Sequence, residues 1–159
     1  MTTTPGRPWY ADLVLPVLLG AARTTYGEAI RSALGQAGFH DMPRSGARAV
    51  GGIARNGANL RNVAEELGIS KQAASQLVDV LVLRGYCQRI PDADDRRRIS
   101  VGLTERGRAA AVEINRAVSR VDRALVDRFG EQRVRDLREV LGGLAALGDE
   151  LEAQHHPST

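Results

Sequence analysis

Two groups of side chains in this sequence have types and spacings that could do chemistry, and both suit the binding of a polyanion. Ser70, Lys71, Gln72, Ser75 and Gln76 recur at helical spacing, so one side of a helix would carry hydroxyls, amides and a single cation. Amides can pair bidentately with adenine and hydroxyls adapt to either base, whereas a purely solvated helix face would more often carry Glu and Lys. The second group is the run from Asp92 to Arg98, in which acidic residues precede Arg96, Arg97 and Arg98. At the tip of a hairpin, Arg96 and Arg97 could reach a narrow minor groove or its phosphates, with Asp95 close enough in sequence to hold one guanidinium extended. Arg61, Arg84 and Arg98 are further cations placed to touch phosphate.

These groups need elements to hold them. Asn59 is a capping residue, and Leu60, Val63, Ala64 and Leu67 then keep to one face until Gly68 supplies a left-handed stop. Ile69 bridges a short turn. Ser70 caps a second helix whose inner stripe is Ala74, Leu77, Val78 and Leu81 and which ends at Arg84-Gly85. Residues 86–90 and 99–103 read as two short strands, and the loop between them is too polar for anything but a projecting position. Helix, tight turn, helix and hairpin in that order predict a winged helix-turn-helix. Helix hairpins with a glycine turn also occur in plain bundles, and it is the arginine-tipped hairpin that favours DNA binding here.

In these residues the chain resembles the multiple-antibiotic-resistance regulator (MarR) family of dimeric bacterial transcription factors. The resemblance is carried by Ser70, Leu77-Val78-Asp79, Gly85, Asp95-Arg96-Arg97 and Leu103-Thr104-Glu105-Arg106-Gly107-Arg108, and it extends over nearly the whole chain. It implies a homodimer that reads a pseudo-palindromic operator in double-stranded DNA, as a repressor or occasionally an activator. It also implies a small, often aromatic and anionic effector between the dimer helices and the DNA unit. Trp9, Tyr10, Tyr26, His40, Met42 and Arg44 are available to line such a cleft, and each could equally be ordinary core. Two positions depart from the family's pattern. Gln76 stands where Arg is common, which removes or changes one phosphate or guanine contact, and Ala93 replaces a proline, which leaves the loop tip less constrained. Some members sense organic peroxides through a cysteine near the start of the first helix, where this sequence has none.

Composition agrees with this reading. At 159 residues and 43% hydrophobic content the chain is one domain's worth with a core to bury, and its few aromatics suit a helical architecture. From Arg44 to Arg108 there are 12 basic and 7 acidic residues, a net +5, against 10 and 12 elsewhere. Of the 22 cations 21 are Arg, which suits bidentate contacts although biased genome composition explains it as well. No apolar run reaches the roughly 18 residues of a membrane span, and the N-terminal residues lack signal-peptide order, so a cytoplasmic protein is expected. Cys87 is alone, which forbids an internal disulfide; it reads either as a small strand residue or as a redox switch. Glu152 with His155 and His156 could hold a metal adventitiously, and a regulatory transition-metal site made with His40 is conceivable. No catalytic motif is present, so neither an enzyme nor a cofactor is expected.

The flanking segments read as dimer-building helices. Leu15, Leu18, Leu19, Ala22, Tyr26, Ala29 and Ala33 recur at three and four between Asp12 and Ala37, with Pro16 limiting where that helix starts. Asp41 to Arg55 offers a second helix with Arg44, Arg48 and Arg55 on one face. Thr104 caps a return helix striped by Ala110, Ile114, Ala117, Val121 and Leu125, and Phe129-Gly130 breaks it. Val134, Leu137, Leu141, Leu144, Gly148 and Leu151 then form nearly a coiled-coil seam, which wants a partner. The expected organisation is a single domain over 9–153, with dimerisation helices at 9–40 and 104–153 and the winged helix-turn-helix at 42–103. Residues 1–8 and 154–159 are expected to be frayed tails. The alternatives are a ligand-binding or protein-interaction module of the same fold that has lost DNA binding, for which Gln76 is the hint, and a redox- or metal-responsive regulator.

Overall fold

The computed structural model describes residues 8–56, 60–91 and 99–155. The elements run α1 (Leu15–Gln36), α2 (Gly46–Asn56), α3 (Leu60–Leu67), α4 (Lys71–Leu83), β1 (Cys87–Pro91), β2 (Ile99–Leu103), α5 (Glu105–Phe129) and α6 (Glu131–His155). The strands pair antiparallel, with Cys87 opposite Leu103 and Pro91 opposite Ile99. A mostly helical chain with one hairpin after the α3–α4 unit is the winged-helix architecture that the sequence predicts.

Local chemistry sets the helix boundaries. Pro16 lies in the first turn of α1, where its missing N–H has no intrahelical partner to lose and its fixed φ suits the helix. The second helix begins at Gly46 rather than near Asp41, because Pro43 pushes the preceding Met42 out of the helical region. The segment turns instead: the Met42 N–H donates to the Phe39 carbonyl at 3.3 Å and the Gly46 N–H to the Pro43 carbonyl at 2.8 Å. After α3, Gly68 adopts φ +64°, a conformation costly to any residue with a Cβ, and the Ile69 N–H closes on the Ala64 carbonyl at 3.0 Å. Ser70 then caps α4, its Oγ accepting from the Ala73 N–H at 3.2 Å.

The core explains which side of α4 faces out. Ala74, Val78 and Leu81 are fully buried together with Val50 and Ile53 of α2, Val63 and Ala64 of α3, Val101 of β2 and Ala110 and Ile114 of α5. Burying side chains the size of Val and Leu stabilises by about 1.5–3 kcal/mol each. Rolling α4 about its axis would forfeit several such contributions, so its polar side is fixed toward solvent.

Thr104 joins the hairpin to α5. Its hydroxyl donates toward the Gly85 carbonyl at 2.5 Å and the Tyr86 carbonyl at 3.1 Å, and accepts from the Gly107 N–H at 3.0 Å. The helix start lies so close to the chain before β1 that a β-carbon on Gly107 would sit 1.9 Å from the Tyr86 carbonyl oxygen. Residues up to Val118 and those from Ser119 form two compact units, the division falling within α5. In the second unit Arg138 pairs with Asp122 at 3.1 Å, and Val134 is buried. No described helix is long and apolar enough to cross a membrane.

Candidate nucleic-acid interface

With its inner stripe committed to the core, α4 presents Lys71, Gln72 and Gln76 to solvent and leaves Ser75 half-buried. The side chains of Lys71, Gln72 and Gln76 make no hydrogen bond or ion pair among the described residues. An amide both donates and accepts, so Gln72 and Gln76, one turn apart, offer two complete hydrogen-bonding edges beside a cation. Ser70 differs, because its oxygen already accepts from the Ala73 N–H and its proton is what remains to donate. Further along, Asp79 pairs with Arg89 of β1, tying α4 to the first strand of the hairpin.

The other cations have separate fates. Arg84 donates one N–H to the backbone carbonyl of Asp41, which leaves the other donors of its guanidinium for a phosphate. Arg55 pairs with Glu66, and Arg48 donates to the Glu66 carbonyl at 3.0 Å; together they lock α2 onto α3. Asn59, the side chain of Arg61 and the loop with Asp95, Arg96, Arg97 and Arg98 lie outside the described residues. The strands that flank that loop are paired up to Pro91 and Ile99.

A cluster at the root of the hairpin escaped the sequence reading. The ring of Tyr86 is fully buried, and its hydroxyl donates to Asp41 Oδ1 at 2.6 Å and accepts from Arg106 Nη2 at 3.1 Å. Arg106 also pairs with Asp41 at 2.6 Å, and its guanidinium lies 4.7 Å from the Tyr86 ring centroid. The Tyr86 hydroxyl, and then the Arg106 charge, hold the Asp41 carboxyl below its ordinary value against the opposing effect of burial. Burial first, and Asp41 second, push the Tyr86 phenol up. Asp41 is therefore charged and Tyr86 protonated at neutral pH, the states that this hydrogen bond needs. The one sequence signal was Arg106 within the Leu-Thr-x-x-Gly-Arg motif. Asp41→Ala leaves the buried Tyr86 proton without an acceptor and is expected to lower stability by about 1–2 kcal/mol in urea titrations at pH 7. A carboxyl whose folded pKa is depressed stabilises above its unfolded value, near 4, and loses that contribution as pH falls through the folded one. The gap between wild type and variant should therefore narrow below about pH 4; a gap independent of pH would contradict the assignment.

The remaining candidates divide. Tyr26 and Arg44 line a cavity of about 650 Å³ between α1 and α2. His40, Met42 and again Arg44 line an adjoining one of about 530 Å³. Trp9 and Tyr10 line neither cavity; both are exposed and pack edge to face, centroids 5.7 Å apart. Cys87 is buried, and burial pushes its thiol up to about 11, which disfavours the thiolate that redox sensing requires. No cluster of three metal-ligating side chains occurs among the described residues. Leu15 is exposed and Leu18 half-buried on α1, and Leu137, Leu141 and Leu144 are exposed on α6. Val134, grouped with that row by its spacing, is covered within its own chain. The side chain of Leu151 lies outside the described residues.

Known proteins share this fold. The model of the MarR family matches residues 40–98. Among solved structures, NadR in complex with 4-hydroxyphenylacetate is 23% identical, with 91% of this chain and 98% of that one covered at a TM-score of 0.67. A MarR family transcriptional regulator from Silicibacter pomeroyi is 23% identical, with coverages of 89% and 93% and a TM-score of 0.70. The S. aureus MepR–DNA complex is 18% identical, with coverages of 85% and 98% and a TM-score of 0.69. No curated protein sequence matches the chain. From His40 to Arg98 the sequence matches the MarR family model, and over most of its length the chain is similar in fold to solved MarR family regulators.

Proposed function

We propose that the protein is a homodimeric, sequence-specific DNA-binding regulator, a repressor that leaves a pseudo-palindromic operator when a small anionic ligand binds. The observation that carries this reading is the outer side of α4, where Lys71, Gln72 and Gln76 stand exposed and unpartnered on a helix whose other side is locked into the core. A helix so presented fits the major groove, where amides read adenine and a cation meets guanine or phosphate. Arg96 and Arg97 would enter the adjacent minor groove or meet its phosphates, with Asp95 orienting one of them. The net +5 between Arg44 and Arg108 favours the same partner. MepR was solved with DNA and NadR with 4-hydroxyphenylacetate, which supports both an operator and an effector here.

A dimer is supported by the row of exposed apolar residues on α6, Leu137, Val140, Leu141, Leu144 and Leu147. A second copy would cover them and would supply the second reader that a palindrome requires. On this reading the first and last helices build the dimer, residues 42–103 read DNA, and the protein works in the cytoplasm. Mobility-shift against the DNA upstream of its own gene tests it: a shift at about 10–100 nM protein, roughly 10³-fold or more below random DNA, is expected. Absence of any shift would leave a ligand-binding or protein-interaction module of the same fold.

A further inference from the structure

The trough between α1 and α2 holds more positive charge than a single carboxylate can use. Its first lobe is lined by Arg23, Arg31, Arg44 and Arg48 beside Tyr26, with no acidic side chain among the described residues. Its second lobe shares Arg31 and Arg44 with the first and continues over Leu34, Phe39 and Met42. Arg23, Arg31 and Arg44 have no ion pair among the described residues, whereas Arg55, further along α2, is paired with Glu66. Guanidinium groups brought to one cavity without a carboxylate repel one another, and a bound anion relieves that repulsion. A carboxylate brings one charge and two oxygens. A phosphate monoester brings nearly two charges at pH 7 and three terminal oxygens, each able to meet the planar fork of an arginine.

We propose that this trough binds a small phosphate ester with an apolar body. The phosphate lies among the arginines of the first lobe, Arg31 and Arg44 grip it at the junction, and an aryl or short acyl group lies over Phe39 and Met42 in the second. Contact with the DNA backbone would explain the arginines and leave the apolar lobe without a use. The proposal rests on the reading of the protein as a ligand-responsive regulator and names the class of that ligand.

Calorimetric titration of the full-length protein with phenyl phosphate, benzoate and inorganic phosphate tests it, alongside mobility shift on the upstream DNA. Phenyl phosphate is expected to bind at least about tenfold more tightly than either of the others, and to release the operator. Arg23→Gln/Arg31→Gln, two changes on exposed positions of α1, should remove that advantage and the release while operator affinity without ligand stays within about threefold. Benzoate binding as tightly as phenyl phosphate would overturn the proposal, as would a protein that shifts its operator and takes up no phenyl phosphate. A double variant that loses operator and random DNA alike would overturn it too, assigning these arginines to the DNA backbone. Tight phenyl phosphate binding without any DNA shift would uphold the ligand class and sink the regulator reading instead.

Discussion

Leu144→Asp is expected to leave the protein monomeric at low micromolar concentration, where the wild type is expected to sediment as a dimer. Leu144 is 44% exposed within a single chain, in a row with Leu137 at 45%, Leu141 at 38% and Leu147 at 50%. Half-exposed leucines at three- and four-residue spacing are what a helix shows when its cover is another molecule. In the dimer the aspartate would be an unpaired charge in an apolar seam, at a cost of several kcal/mol, and two-fold symmetry brings two of them. In the separated protomer the same side chain meets water, so the helical signal in circular dichroism should persist. Folded monomer is thus the outcome sought in sedimentation velocity. A variant still dimeric at that concentration would remove α6 from the interface.

Gly107→Val should be the most damaging single change at the root of the hairpin. The obstruction is backbone: a β-carbon would meet the Tyr86 carbonyl oxygen at 1.9 Å, its carbon at 3.0 Å and Leu103 Cβ at 3.3 Å. That carbonyl is already held by the Thr104 N–H at 3.1 Å, and the Thr104 hydroxyl ties the same segment to the Gly107 N–H. The start of α5 must therefore withdraw from the strand. Overpacking against rigid surroundings costs about 1–3 kcal/mol and sometimes more, and a loss near 3 kcal/mol or above is expected in urea unfolding. A loss below about 1 kcal/mol would show that the close approach is not required. The same contact explains why the Leu-Thr-x-x-Gly-Arg motif ends as it does: threonine caps and latches, and glycine admits the carbonyl.

The parts of the fold legible in the sequence were those written in local chemistry. Gly68, the Ser70 cap and the stripe Ala74, Val78 and Leu81 lie close together in the chain, and each acts on its own neighbourhood. Periodicity extended α2 back to Asp41 because it counts apolar spacing and gives no weight to the effect of Pro43 on Met42. It also put Val134 in the row with Leu137. An apolar stripe tells which face is covered, and not whether the chain itself or another copy covers it.

Long-range polar contacts were out of reach. Asp41, Tyr86 and Arg106 are 45 and 20 residues apart and have no common period. Arg84, at the end of α4, donates to a carbonyl 43 residues earlier, a contact that no local pattern marks. The arginines of the α1–α2 trough come from segments that no local pattern joins, and Arg44 alone among them is a ligand contact that the sequence suggests.

The central claim is that the outer side of α4 reads base edges, and comparing Gln72→Ala and Gln76→Ala on the best operator and on random DNA at one salt concentration tests it most directly. Both glutamines are exposed and their loss leaves no cavity, so the fold should be unaffected. If they pair with bases, each substitution weakens operator binding by about 1–3 kcal/mol and scarcely changes binding to random DNA. Equal losses on both DNAs would contradict the account, reducing this side of the helix to a backbone contact.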